Sequence, residues 1–187
     1  MNPYLILFTL AAALSMPAAH AMEFRTVLPQ QSTIQFEFRQ MGVPVKGGFK
    51  RFTTQMRFDP AKPEAANAQV EIDLASIDAG SPEANDESAG RLWFNRSVYP
   101  KATFVSNQVR ALGNNRYEMR GSLTLKGRSR EIVVPVTYLP GKNAATFDGS
   151  FVLKRLDFGI GEGMWADVAT VANEVQVRFR IAATGNY

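Results

Sequence analysis

The feature that most constrains this chain is alternation with a period of two residues. In "RYEMRGSLTL", Tyr117, Met119, Gly121, Leu123 and Leu125 share one face while Arg116, Glu118, Arg120, Ser122 and Thr124 share the other. Successive side chains of an extended strand point to opposite sides, so such a segment is a strand with one dry face and one wet face. "STIQFEFR" does the same, with Ile34, Phe36 and Phe38 set against Gln35, Glu37 and Arg39. "EVQVRFRI" places Val175, Val177, Phe179 and Ile181 on one side. The pattern predicts eight strands: Thr33 to Arg39, Thr53 to Asp59, Ala68 to Leu74, Ala102 to Ser106, Arg116 to Leu125, Glu131 to Tyr138, Thr146 to Lys154 and Glu174 to Ala183. Short turns such as "GNN", "KG" and "PGKN" join consecutive runs, which favours antiparallel hairpins over helical crossovers.

One segment breaks the pattern. In "GSPEANDESAGRLWF", Ser81 suits an N-cap, Pro82 the first helical position, Glu83 and Asp86 the positive end of the helix dipole, and Gly90 the stop. The expectation is one short helix followed by an apolar plug of Leu92, Trp93 and Phe94, closing one end of the molecule. An antiparallel sheet with one apolar face and few means of protecting its edges closes most economically on itself. The predicted fold is therefore all-β, an eight-stranded antiparallel barrel with its apolar face inward and one short helix at an end. At that strand number the interior is either filled by side chains or holds one small ligand, and alternation alone leaves both open.

The ends and the composition narrow the function. "YLILFTLAAAL" followed by "SMPAAHA" reads as a secretory signal over residues 1 to 21 with an A-x-A cleavage site, shorter than a membrane span. Residues 22 to 187 then form one exported, periplasmic domain. The formal net charge of +4 belongs wholly to that domain and is spread along solvent faces, and export leaves no nucleic-acid partner. The chain has no cysteine, and its single histidine, His20, lies in the signal. The domain thus lacks a His general base, a Cys nucleophile, His or Cys metal ligands and disulfides, and no catalytic residue or metal site is assigned. "FGIGEGMW" sets Gly159, Gly161 and Gly163 in a row but runs into a strand, so turns at a barrel mouth fit better than a phosphate loop. Asp157, Glu162 and Asp167 match no calcium-binding or paired-carboxylate spacing. A membrane-spanning barrel also uses alternating strands, but it needs runs of roughly 9 to 11 residues bracketed by aromatic girdles.

Several stretches, in order, resemble the YceI-like family of bacterial exported lipid-binding proteins: "STIQFEFRQMGVPVKGGFKRF", "FDPAKPEAANAQVEIDLASIDAG", "FNRSVYPKATFVSNQV", "GSLTLKGRSREIVVPV" and "LDFGIG" with "NEVQVRFRI". The most specific are Ser76 to Asp78, Tyr99 to Phe104 and Gly121 to Gly127. The chain departs from the family at "NDESAGRLWF", where an Arg-Asp-x-His-Leu type stretch is common, and at Lys126, a turn position often held by His or Asn.

The resemblance implies a lipocalin-like barrel holding a long lipophile non-covalently, with isoprenoid quinones or polyprenyl chains the favoured ligands and no covalent cofactor. Candidate lining residues are the inward Phe36, Phe38, Met56, Phe58, Phe104, Met119, Leu123, Phe147 and Phe151, with Trp93, Phe94, Phe158 and Trp165 near the ends. The leading expectation is a non-enzymatic carrier with transient membrane or membrane-protein contact, its oligomeric state left open by the sequence, a homodimer included. The alternative is a packed barrel whose basic loops dock a membrane redox or envelope protein, with a lipid-ester hydrolase third.

Overall fold

The computed structural model describes residues 22–142 and 144–186. The expected signal, residues 1 to 21, and Asn143 of the "PGKN" turn lie outside the described residues. Among the described residues eleven strands form one antiparallel sheet: β1 (Glu23–Val27), β2 (Thr33–Gln40), β3 (Val43–Phe49), β4 (Phe52–Arg57), β5 (Asn67–Asp73), β6 (Ile77–Asp78), β7 (Lys101–Gly113), β8 (Arg116–Leu125), β9 (Arg128–Leu139), β10 (Ala145–Lys154) and β11 (Glu174–Asn186). Their order is β4-β5-β7-β8-β9-β10-β11-β2-β3-β6, with β1 paired to the C-terminal part of β11. The sheet curls until Phe24 and Phe58 exchange two backbone hydrogen bonds, N–H to O 2.8 and 3.1 Å, in an isolated bridge.

The expected eight-stranded closed barrel is therefore corrected to a curled eleven-stranded antiparallel sheet, fastened at that bridge by one residue pair. Each of the eight expected segments falls on a strand, although Phe58 and Asp59 lie past the end of β4 and Leu74 past the end of β5, and β1, β3 and β6 are additional. β3 was hidden by its composition, because Pro44, Gly47 and Gly48 normally mark turns. Gly48 and Phe49 alone pair with β6, so β3 is free on that side at Pro44, where its missing N–H costs no ladder bond. β7 continues well past Ser106, still paired with β8 beyond a register shift between Ser106 and Gln108. That bulge moves the buried positions from Ala102 to Val109, an even to an odd number, which ends the visible alternation.

The helix is α1 (Pro82–Ala89), and Ser81 Oγ accepts from the Ala84 N–H at 3.2 Å as its N-cap. Outward faces carry ion pairs, Arg110 with Glu118, Arg120 with Glu131 and Arg180 with Asp148, all partly exposed. Such a surface fits water rather than acyl chains, so the spanning-barrel reading does not fit these strands. Inside, one buried cluster centres on Phe24, Phe58, Tyr117, Tyr138 and Phe147, and a second on Leu74, Ala102, Leu125, Phe158 and Ile160. Between these clusters the interior is not filled.

Candidate ligand chambers

Two adjoining spaces occupy the inside of the curled sheet. The larger, about 530 Å³, is walled by Phe36, Phe38 and Phe49 from β2 and β3 and by Leu123, Phe151 and Leu153 from β8 and β10. Trp93 and Phe94 line it from the turn after α1, and Trp165 from the loop before β11. The smaller, about 140 Å³, is lined by Met56, Phe58, Phe104, Met119, Phe147 and Phe179 among others. Ile34, Ile72, Leu123, Phe151 and Val177 line both.

The rings stand back from this space for a steric reason. Phe36 lies over Gly47, Phe104 over Gly121 and Phe179 over Gly149, each glycine on the neighbouring strand. At each of the three glycines a β-carbon would collide with the ring. A phenylalanine that can lie flat on a glycine follows the wall, whereas one facing a β-carbon must project inward or shift the strands.

The larger chamber has one polar end. α1 turns Ser81, Glu83, Glu87 and Ser88 toward it, and the Trp165 indole N–H donates to Glu87 Oε1 at 2.8 Å, linking the helix to the loop opposite. Behind the loop lies Arg155, 2% exposed, whose five N–H groups all donate to backbone carbonyls. Nε reaches Ala172 O at 3.0 Å, Nη1 reaches Ile160 O and Gly161 O at 2.9 Å each, and Nη2 reaches Trp165 O at 2.7 Å and Val171 O at 2.6 Å. Its guanidinium carbon lies 5.7 Å from the centroid of Trp93, a cation–π approach. Burial lowers the Arg155 pKa, yet guanidinium stays charged in proteins. Gly161, at φ +76°, permits this packing, because a side chain there would strike the guanidinium. A second tie holds the loop's start: Lys126 Nζ donates to Gly159 O at 2.6 Å and to Glu162 Oε2 at 2.9 Å, and Arg128 Nη2 to Glu162 Oε1 at 2.9 Å. Among the described residues no cluster of three His, Cys, Asp or Glu could hold a metal ion. The arrangement can enclose an apolar chain and offer its head a few polar groups.

A YceI-like domain model matches residues 26–183. The chain belongs to the YceI-like family. A UPF0312 protein of Vibrio cholerae is 30% identical over 94% of this chain and 100% of its own length. Among solved structures, BcnA of Burkholderia cenocepacia superposes with a TM-score of 0.82 at 43% identity, covering 84% of this chain and 99% of that one. The YCEI protein of Campylobacter jejuni gives 0.69 at 25% identity, covering 76% and 86%. A polyisoprenoid-binding domain from Saccharophagus degradans shares the fold, with a TM-score of 0.68 at 15% identity and 89% and 99% coverage.

In this YceI-like chain the candidate residues fall as follows. Phe36, Phe38, Trp93, Phe94 and Trp165 line the larger chamber, and Met56, Phe58, Phe104, Met119 and Phe147 the smaller. Leu123 and Phe151 touch both, while Phe158, 2% exposed, lines neither and packs in the core beside Leu74. Sequence reasoning passed over Ile34, Ile72 and Val177, although the alternation that places Phe36 inward places Ile34 inward too. Arg155 carried no local signal, since an arginine following Lys154 reads as solvent-facing. The glycine run around it was the one available hint.

Proposed function

We propose that this protein is an exported, non-enzymatic carrier of a long-chain lipophile of the isoprenoid quinone or polyprenyl type. The observation that carries this reading is the pair of adjoining apolar chambers inside the curled sheet, about 530 and 140 Å³. A packed interior would have filled that volume with side chains, as most protein cores do. Burying each methylene contributes roughly 0.8 kcal/mol, so an isoprenoid tail binds firmly with few polar contacts, part of the gain being offset by ordering of the chain. The polyisoprenoid-binding neighbour supports the ligand class through the shared fold, and the apolar run at residues 4 to 14 supports export to the periplasm.

Organic extraction of gently purified protein followed by mass spectrometry is expected to release one dominant lipophile. A clean extract, together with no uptake of added quinone, would remove the reading. Detergent-free turnover of a lipid ester, lost on replacing a single serine or aspartate, would replace it with the hydrolase alternative.

A further inference from the structure

We infer that the smaller chamber is a tail pocket, and that the waist between the chambers selects the length of lipid tail the protein accepts. The inference rests on the carrier reading and goes further, naming what sets specificity within it. The waist is Ile34, Ile72, Leu123, Phe151 and Val177, the side chains that line both spaces. They come from five different strands, β2, β5, β8, β10 and β11, so they ring the interior instead of forming a patch on one wall. Phe151 and Val177 are direct cross-strand partners, which brings the bulkiest member of the ring against a neighbour of fixed register.

Polarity fixes the direction of entry. The larger chamber holds the polar end, with Gln40, Ser81, Glu83 and Glu87 in its wall, whereas the surface of the smaller is almost wholly apolar. An amphipathic lipid therefore leaves its head in the larger chamber and sends the tip of its tail through the waist. The inferred floor beyond the waist is the aromatic cluster lining the smaller chamber: Phe58 meets Tyr117 edge-on at 5.1 Å and Phe147 at 5.0 Å between centroids, all three buried. A tail that stops short of the waist gains nothing from the smaller chamber. One that passes it gains apolar contact until it reaches the floor.

The test uses phosphatidylcholine vesicles doped with benzoquinones bearing tails of two, four or eight isoprene units. Protein is separated from the vesicles by flotation and its quinone content measured, for wild type and for Phe151→Trp, Val177→Phe and Phe151→Ala. The two narrowing variants are expected to take up the eight-unit quinone about tenfold less, the burial lost being that of about two methylenes. Their loss of uptake is expected to grow with tail length, smallest for the two-unit and largest for the eight-unit quinone, in variants whose melting temperatures show them folded. Phe151→Ala is expected to shift preference toward longer tails. Equal losses for all three tails, or no change in length preference in any folded variant, would overturn the waist while leaving the carrier standing. Failure of wild-type protein to take up any of the three would overturn both.

Discussion

Arg155 is the residue on which the polar end of the chamber depends. It joins carbonyls at Ile160, Gly161, Trp165, Val171 and Ala172, so one side chain sets the path of the loop that carries Trp165. Arg155→Gln leaves several of these carbonyls unpaired away from water, and a loss of about 3–5 kcal/mol in denaturant unfolding is expected. Hydrogen exchange should rise at residues 159 to 172 well before it rises in β8. The glycines under the rings lead to a second prediction. Gly149→Ala should push the Phe179 ring off its resting place, cost about 1–3 kcal/mol in stability and reduce lipid uptake, although residue 149 lines neither chamber. Phe36, Phe104 and Phe179 were legible as inward-facing because alternation reports the side of a strand. Whether a ring projects or lies flat depends on the residue across the ladder, which no local pattern reveals.

Among elements, the turn between β8 and β9 has a role beyond connecting two strands. Lys126 and Arg128 both hold Glu162, and the Lys126 side chain is 8% exposed, so this turn pins the start of the loop that Arg155 organises further along. The hydrogen bond from Lys126, aided by the nearby charges of Lys126 and Arg128, holds the Glu162 carboxyl below the usual glutamate range. A folded-state pKa that is depressed means the clasp contributes in full above the pKa of a free glutamate, and that the contribution is lost as pH falls through the folded value. Glu162→Gln is expected to lower the melting temperature at neutral pH, with the difference from wild type shrinking in acid below the free-glutamate range. A difference that stayed constant across that range would show the clasp to be energetically idle. At this scale the sequence was informative for β8, whose limits follow its alternation, and for α1, whose cap, proline and stop glycine are all local signals. It was uninformative for β3, where one proline and two glycines serve an edge and a ring, and for the second half of β7, where a bulge reverses the phase. Pairing across distant strands decides both.

For the whole molecule, a carrier's ligand binds the folded form and not the unfolded chain. Thermal or chemical unfolding with lipid present at about 100 times its Kd should show roughly 2.7 kcal/mol of added stability. Because the chamber walls are mainly apolar, that increment should change little between low salt and about 1 M, where charged contacts are screened within a few ångströms. A strong salt dependence would instead point to the acidic residues of α1 as the principal contact. The curled sheet is held along most of its circumference by ladders several residues long, such as the ten pairs joining β10 to β11, but between Phe24 and Phe58 by two hydrogen bonds. A cylinder stitched so unevenly does not loosen uniformly on warming. It parts first at its thinnest seam, so the amides of those two residues mark where the molecule breathes, and a staple across that line would show how much of lipid exchange requires the wall to open.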